Sequence, residues 1–305
     1  MAECTPDAPT TIRKTSAGEC LSIGGISLAL SGGSSAQTCL SAELEVFRTA
    51  PERPDIAIEV DWQDDLEPWP GNKVFESGAV WRLFRDRNEL IFDFTSYPLG
   101  LRPYKRLRVT SNFRSGQLTL NRALLEPHAP VCPLEYPADE LLFTNYLATG
   151  IGAELHGCGL IDQEIGGQLL LGHSGAGKST TAHLWRSSRR AAIISDDRII
   201  LRLDQGSVWM YGTPWHGEAR FASPERAKLD RIFVLAHGDK NHILTLPKAR
   251  AVGELFARSF PPFHSVCGLG NTLEFFNAVV NKVPCYEFRF TPDLTAVAAV
   301  LAFHD

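Results

Sequence analysis

The sequence of 305 residues predicts an α/β fold, in which a β-rich N-terminal domain precedes a second domain built around a phosphate-binding loop. Three observations predict this fold. Short apolar runs separated by turn residues fill the first part of the chain, as in a β sheet. Four prolines then fall between residues 126 and 137, a composition typical of a linker. Beyond it, apolar runs alternate with helix-like segments around a glycine-rich motif. We therefore expect a flexible arm over residues 1–17, a β-rich domain over 18–136 and an α/β domain over 137–305.

The composition indicates a globular protein of the cytoplasm. Hydrophobic residues make up 44% of the chain and charged residues 21%, and the net charge of -5 gives no reason to expect binding to nucleic acid. No apolar run reaches the length of a membrane-spanning helix, and the first 16 residues lack the apolar core of a signal peptide. The seven cysteines are odd in number and never form a C-x-x-C pair, which favours reduced thiols over a disulfide framework or a zinc site. We expect neither nucleic acid nor a membrane as a partner.

The β-rich domain begins after the polar arm. Residues 21–30 alternate apolar with small or polar side chains, which predicts a half-buried strand. Turn residues at 85–88 and 114–116 predict hairpin connections, so we expect an antiparallel sheet. Its further strands are predicted over residues 44–47, 56–62, 79–84, 89–94, 106–110 and 117–120.

The second domain opens with a predicted helix over residues 138–149, which ends at the glycines at 150 and 152. A turn at residues 204–206 joins two apolar runs as a hairpin. Other strands are predicted over residues 168–171, 191–194, 231–235, 243–246 and 285–290. Other helices are predicted over residues 180–186, 249–259, 272–281 and 292–303.

The motif that matters most for function is GHSGAGKS at residues 172–179, which fits the pattern G-x-x-x-x-G-K-[ST]. It follows an apolar run and precedes a helix-like segment, the context in which this pattern binds phosphate. Its glycines allow positive φ, so that successive N–H groups face an anion, and the helix adds its positive dipole end. A glycine-rich turn capped by serine, with an incidental lysine, is the alternative. The residues predicted to bind the phosphates are Gly172, Ser174, Gly175, Ala176, Gly177, Lys178, Ser179 and Thr180.

Lys178 and Ser179 give the motif its chemistry. A lysine in the first turn of a helix is unfavourable beside the positive dipole end, so a bound anion explains Lys178 better than helix stability does. The hydroxyl of Ser179 is a suitable ligand for Mg²⁺, which keeps several waters and takes few protein ligands. The motif therefore predicts a bound triphosphate together with Mg²⁺.

Two adjacent aspartates, Asp196 and Asp197, follow the apolar run at residues 191–194. A parallel strand reached through the helix would place them beside the motif, at the edge where open α/β sheets bind ligands. One carboxylate would hold the metal and the other would accept the proton of an attacking hydroxyl. A pair of aspartates that caps a strand-to-turn junction is the alternative.

Other polar residues are weaker candidates. His156 lies near the start of a predicted strand ahead of the motif, and a single histidine is more often structural. The same interpretation applies to His173 and His183. His216 lies in the turn-rich segment GTPWHG, where it could face a nucleotide or an acceptor. Five basic residues could contact an acidic acceptor, although such residues are usually solvated: Arg198, Arg202, Arg220, Arg226 and Lys228.

These residues together resemble a known family. The His156-Gly157 pair, an apolar strand, the motif, a helix and a strand ending in two aspartates resemble the catalytic domain of the bacterial HPr kinase/phosphorylase. That domain shares its phosphate-loop architecture with ATP-dependent phosphoenolpyruvate carboxykinase. The resemblance covers residues 156–202. The segment at 212–217 is similar to HPr-kinase-related proteins found beside peptide-modification genes, including kinases that phosphorylate a serine of lasso-type peptide precursors.

The resemblance implies a P-loop kinase domain of the HPr kinase/phosphoenolpyruvate carboxykinase type, with ATP and Mg²⁺ as its cofactors. It implies that Lys178 contacts the β- and γ-phosphates, and that Ser179 and Asp197 bind the metal. Asp196 is then the catalytic base, with His156 beside it as the orienting partner. Which of the two aspartates has which role stays open.

The leading hypothesis is therefore transfer of the γ-phosphoryl group of ATP to a serine hydroxyl of a peptide or small protein. The β-rich domain would recognise this acceptor or hold the subunits of a homo-oligomer together. A small-metabolite kinase or carboxykinase-like enzyme is one alternative. A nucleotide-responsive binding module without catalysis is the other.

Overall fold

The computed structural model of the protein describes residues 18–32, 38–78, 80–173, 175–188 and 191–303. The predicted arm over residues 1–17 lies outside the described residues, as does Ser174 of the glycine-rich motif. Over the described ranges the chain is a mixed α/β protein with two eight-stranded sheets.

Contacts along the chain divide it into two compact units. The first comprises Met1–Ser22 and Ile26–Tyr146, and the second comprises Ile23–Gly25 and Leu147–Asp305. The division therefore falls at the end of a helix, α3 (Ala138–Leu147). The sequence analysis places its boundary one helix earlier, between residues 136 and 137.

One sheet forms the body of the first unit. Its strands are, in chain order, β1 (Glu19–Ile23), β2 (Ile26–Gly32), β3 (Ile56–Gln63), β4 (Lys73–Glu76), β5 (Trp81–Asp86), β6 (Glu89–Ser96), β7 (Gly100–Thr110) and β8 (Ser115–Asn121). They lie in the order β1-β2-β3-β8-β7-β6-β5-β4. Strands β4 to β8 pair antiparallel, but β3 is parallel to both β2 and β8. The prediction of an antiparallel sheet is wrong for β3, because long connections separate it from both partners in the chain.

Two further predictions in this unit are wrong. Residues 21–30 form the hairpin of β1 and β2, whose turn holds Gly24 and Gly25 at φ 62° and 67°. Residues 44–47, predicted as a strand, belong to helix α1 (Ala42–Glu45) and the turn after it. Ser41 caps this helix by accepting a hydrogen bond from the N–H of Leu44, a local bond that outweighs the apolar pattern. The short edge strand β4 was not predicted.

The linker of the first unit is attached to the sheet by a buried lysine. Lys105 on β7 is fully buried, and its ammonium donates to the carbonyl of Pro133 (2.9 Å) and lies 3.3 Å from a carboxylate oxygen of Glu135. The rings of Phe94 and Tyr104 lie 5.7 and 5.5 Å from the same ammonium. Burial lowers the pKa of Lys105. The carboxylate of Glu135 raises it by a smaller amount, so the net shift is downward. A short helix, α2 (Arg122–Leu125), precedes this segment, and α3 follows it.

The second unit contains the other sheet. Its strands are β9 (Gly152–Asp162), β10 (Gly166–Leu171), β11 (Ala191–Ser195), β12 (Arg198–Asp204), β13 (Ser207–Gly212), β14 (Arg226–His237), β15 (His242–Thr245) and β16 (Cys285–Phe290). The pairings β10-β9-β12-β13-β14 close on themselves, because β10 also pairs with β14. The long strands β9 and β14 make this possible, since each pairs with different neighbours in its two halves.

Helices cover both faces of this sheet, as the alternation of buried side chains along its strands requires. Leu169 and Leu171 of β10 join the core with α5 (Lys248–Phe256) and α6 (Val266–Val280). Leu170 points the other way, into the core with α4 (Lys178–Ser187) and α7 (Leu294–Leu301). The predicted hairpin of β12 and β13 is confirmed, with Gln205 and Gly206 both at positive φ in its two-residue turn.

Two global expectations can be compared with the described residues. Among them, no helix is both long and apolar enough to cross a membrane. Their thiols at positions 20, 39, 132, 158 and 285 are free. Cys267, by contrast, is disulfide-bonded, so the expectation of reduced thiols is wrong for that residue.

Candidate active site

The glycine-rich loop (residues 172–177) connects β10 to α4, as the motif predicts. Gly175 and Gly177 have φ of 79° and 97°, values that an L side chain rarely adopts. A Cβ on Gly177 would lie 2.4 Å from Cζ of Phe290, and a Cβ on Gly172 would lie 2.6 Å from that of Ala176. The loop is therefore a cradle that only glycine permits at these positions.

Lys178 is the first residue of α4 and is 7% exposed. Its ammonium turns back over the loop and donates to the carbonyls of Gly172 (2.9 Å) and His173 (3.2 Å). Burial lowers the pKa of Lys178, while the nearby carboxylate of Asp197 raises it. Buried charges normally have an ionic partner, and an anion held in the loop would supply one here.

The remaining motif residues surround this lysine in the chain. Ser179 and Thr180 are exposed in the first turn of α4. The N–H of Ala176 donates to the carbonyl of His173 (3.0 Å), which closes the loop on itself. The predicted contact of Ser174 with phosphate lies outside the described residues.

Asp196 and Asp197 follow β11, but their side chains have different surroundings. Asp196 is 2% exposed and accepts three backbone N–H bonds, from Gly217 (3.1 Å), Ala219 (3.0 Å) and Phe221 (3.2 Å). These bonds hold residues 217–221 against the end of β11. Asp196 is thus engaged by the backbone of the segment that follows GTPWHG.

Asp197 is half-buried and faces His156 and Arg198. Its Oδ1 lies 3.1 Å from Nδ1 of His156, and its Oδ2 pairs with Nη1 of Arg198. Burial acts to raise the pKa of Asp197, but the hydrogen bond from His156 and the charge of Arg198 outweigh it, so the pKa is lowered. A carboxylate with these neighbours stays ionised at neutral pH.

Arg198 is held from several directions. Its Nε lies 3.3 Å from Oε1 of the buried Glu154, and its guanidinium carbon lies 4.2 Å from the ring centre of Phe260. Nη1 also lies 3.1 Å from Nδ1 of His156. Because an arginine only donates, Nδ1 of His156 either accepts from Arg198 or donates to Asp197, and each choice fixes a different tautomer.

A second arginine links the glycine-rich loop to the strand of His156. Arg258 is buried, pairs with Glu254, and donates from Nη2 to Nε2 of His173 (3.0 Å). Its own carbonyl accepts from the N–H of His156 (2.7 Å). His173, which the sequence analysis treats as structural, is therefore a contact between the loop and this arginine.

The pairing of β9 explains how residues distant in sequence meet. Strand β9 lies between β10 and β11 and pairs antiparallel with both. The strands β10 and β11 are therefore parallel to each other, as expected, but they do not pair directly. Gly157 pairs with Leu171, the residue before the loop, and His156 pairs with Arg198, the residue after the aspartates. The middle of β9 therefore reaches the carboxyl ends of both strands.

His216 lies in the segment whose Gly217 donates its N–H to Asp196. It is half-buried, and its Nδ1 donates to the carbonyl of Gly217 (3.0 Å). Its loop is joined to the site through Thr213, whose hydroxyl donates to the carbonyl of Arg198 (2.8 Å). His183, on the exposed side of α4, lies 6.0 Å from the ring of Phe221.

The donors at the site suit Mg²⁺ in chemistry and number. Within the described ranges, no three or more His, Cys, Asp or Glu side chains cluster as a protein-only metal site would require. Mg²⁺ needs only one or two oxygen ligands from the protein when phosphates supply others. The carboxylate of Asp197 and the exposed hydroxyl of Ser179 are oxygen donors of this kind.

Several residues of the site were not predicted as a group. Glu154, Phe260 and Arg258 carry no motif, and they reach the site only because residues 258–260 lie beside β9, with the N–H of Phe260 donating to the carbonyl of Glu154 (3.1 Å). Of this group the sequence singled out only Arg198, by its positive charge. Many solvated residues have the same charge, so it did not distinguish Arg198 from them.

Solved structures of other proteins include chains that are similar to this one. The chain is similar to the Hpr(Ser) kinase/phosphatase from Coxiella burnetii at 10% identity, over 48% of this chain and 92% of that chain, with a TM-score of 0.28. No family model and no curated protein matches the chain. The function is therefore argued from the site itself.

Proposed function

We propose that the chain is an ATP- and Mg²⁺-dependent kinase that transfers a phosphoryl group to a serine hydroxyl of a peptide or small protein. One observation carries the proposal. The buried ammonium of Lys178 lies over the glycine-rich loop, and the carboxylate of Asp197 contacts His156. Gly157 joins the two, because it pairs with Leu171 before the loop and donates its N–H to the carbonyl of Asp197. A cation for phosphate and a carboxylate–imidazole pair for a proton are the parts that phosphoryl transfer needs.

The loop would bind the triphosphate. In this proposal Lys178 leaves the carbonyls of Gly172 and His173 and contacts the β- and γ-phosphates. Backbone N–H groups of the loop and of the first turn of α4 surround the same oxygens. Positioning and charge neutralisation then supply most of the rate enhancement, because phosphoryl transfer requires little covalent chemistry from the protein.

Ser179 and Asp197 would hold the Mg²⁺ ion. Bound there, the ion would neutralise charge on the phosphates during transfer. The low pKa of Asp197 suits a metal ligand, because the carboxylate needs no deprotonation before it binds.

We propose that His156, oriented by Asp197, accepts the proton of the attacking hydroxyl. Asp196 is not assigned this role. When Nδ1 of His156 donates to Asp197, Nε2 is left unprotonated and can accept the proton of an attacking hydroxyl. Asp196 already accepts three backbone N–H bonds, so its oxygens are committed to residues 217–221. In this proposal Asp197 therefore both binds the metal and orients His156, and the backbone bonds of Asp196 support this choice.

The acceptor is proposed from the resemblance of residues 212–217 to kinases of peptide-modification gene clusters. Those residues adjoin the site, since Thr213 bonds to Arg198 and Gly217 bonds to Asp196. The first unit would recognise the acceptor or hold a homo-oligomer together.

The first test incubates the protein with Mg²⁺, γ-labelled ATP and peptides encoded beside its gene, and locates the label by mass spectrometry. Label on a serine of a peptide supports the proposal. Lys178→Ala should abolish labelling and weaken ATP binding at least about tenfold, because the buried cation for phosphate is gone.

Lys282→Ala is the matched control. Lys282 is exposed and precedes β16, at the end of the parallel strands opposite the glycine-rich loop. The Lys282→Ala variant should transfer label to the peptide at the wild-type rate. Label only on small metabolites would favour the metabolite kinase, and ATP binding without turnover on any acceptor would favour the non-catalytic module. If the wild-type protein binds no ATP, the peptide kinase, the metabolite kinase and the non-catalytic module are all contradicted.

A further inference from the structure

The glycine-rich loop has a second side, formed by two strands parallel to β10. Strands β10, β14 and β16 run parallel, with Leu171 paired to Val234 and His237 paired to Phe290. Their carboxyl ends therefore meet at one edge of the sheet, where open α/β sheets bind ligands. His237 ends β14 and Phe290 ends β16.

His237 is fixed against both the loop and Phe290. Its Nε2 donates to the carbonyl of Gly175 (2.9 Å), and its ring lies 6.0 Å from that of Phe290 at an angle of 27°. Phe290 is itself buried and fills the space beside Gly177 where a Cβ would stand. His237 nevertheless remains exposed, so a planar ring is held at the rim of the loop with surface left for a ligand.

The two sides of the loop differ in chemistry. On the side of β9, His173 contacts Arg258, whose carbonyl accepts from the N–H of His156, and the carboxylate of Asp197 contacts the ring of His156. On the side of β14 and β16, Gly175 contacts the imidazole ring of His237. The first side has the charged groups that act on a phosphate, and the second has stacked aromatic rings.

We propose that the ring of His237, supported by Phe290, forms one wall of the subsite for the nucleoside of a bound nucleotide. The inference rests on the proposed function, in which the reacting phosphate lies on the side of His156. The nucleoside is the opposite end of the same ligand, and therefore leaves the loop on the side of His237. A base has a flat π face and gains affinity by stacking on such a ring.

The test separates stacking from the hydrogen bond to Gly175. Isothermal titration calorimetry measures the affinity of the full chain for Mg²⁺–ATP and for Mg²⁺ with inorganic tripolyphosphate, which has no nucleoside. The ratio of the two affinities reports the nucleoside alone, because any loosening of the loop weakens both ligands. His237→Phe keeps an aromatic ring and loses the donor, whereas His237→Gln keeps a donor and loses the ring.

The ratio should fall about tenfold in His237→Gln and stay within about twofold of wild type in His237→Phe. A thermal unfolding midpoint close to that of wild type checks that each variant is folded. Equal ratios in wild type and His237→Gln would overturn the subsite while leaving the kinase proposal intact. Wild-type protein that binds neither ligand would contradict the proposed function itself, and the subsite with it.

Discussion

Asp196 and Asp197 are neighbours in the chain, but their carboxylates face different parts of the molecule. Asp196 faces the backbone of residues 217–221, and Asp197 faces His156 and Arg198. The sequence predicts that the pair lies beside the loop, since strand and helix lengths determine that much. It does not predict which carboxylate is committed to backbone N–H groups, because that depends on how a segment more than twenty residues away folds back.

Substitution of each aspartate by asparagine should separate these roles. Asp197→Asn should lower phosphoryl transfer by about 10²-fold or more with little change in stability, because it removes the charged partner of His156. Asp196→Asn should instead cost about 1–3 kcal/mol of unfolding free energy, because an amide N–H₂ then faces backbone donors. Initial rates of labelling and urea unfolding measure the two effects.

The opposite pattern would reassign the residues. If Asp196→Asn is as stable as wild type and loses transfer, Asp196 is the base that the family resemblance implies. Asp197→Glu is a useful third variant, because it retains the charge while moving it by one methylene group.

Strand β9 is the element that brings the site together. The loop, the helix after it and the strand that ends at the aspartates were all predicted from the motif and the apolar runs. The position of β9 between β10 and β11 was not, because periodicity indicates that a segment is a strand but not which strands it pairs with. His156 was a weak candidate for the same reason, since its value depends on its register with Arg198.

The backbone of the loop can be tested at two glycines. Gly177→Ala should weaken ATP binding by more than about tenfold, because the new Cβ would meet the ring of Phe290 at 2.4 Å and φ is 97°. Gly175→Ala has positive φ but no atom within 4 Å of its Cβ, so it should cost only backbone strain, about 1–2 kcal/mol. Calorimetric titration and thermal unfolding of both variants provide the comparison. Equal losses of ATP affinity would mean that contact with Phe290 does not shape the loop.

At the scale of the whole molecule, the alternation of strands and helices predicted two sheets with helices confined largely to the second unit. The order of strands in each sheet could not be predicted from the sequence. The parallel pairing of β3 with β8 and the pairing of β10 with β14 join segments that are far apart in the chain. The predicted boundary at residues 136–137 and the division by contacts at the end of α3 differ by one helix. The linker prolines mark where the composition changes, whereas the contacts of α3 decide to which unit it belongs.

The buried lysine of the first unit predicts a pH dependence of stability. Burial lowers the pKa of Lys105 in the folded chain below its ordinary value of 10.5, so the unfolded chain binds more protons in the window below pH 10.5. Its contribution to stability is therefore complete above pH 10.5 and is lost as the pH falls through the folded pKa. Replacement by methionine removes this dependence.

The difference in unfolding free energy between wild type and Lys105→Met should rise with pH in the window below pH 10.5. Urea unfolding followed by tryptophan fluorescence measures it. Lys73→Met, at a position of β4 where the lysine side chain is solvent-exposed, is the control for loss of a lysine charge without burial. A difference for Lys105→Met that does not rise with pH would mean that Glu135 fully offsets the burial of the charge.

The double pairing of β9 has a consequence for amide hydrogen exchange. Its backbone around Gly159 is paired with β10 on one side and with β11 on the other, so it opens only with the unit as a whole. Residues 213–221 belong to no helix or strand, so their amides should exchange through smaller local openings. His156 therefore stands on a strand that should exchange slowly, beside a segment that should exchange faster.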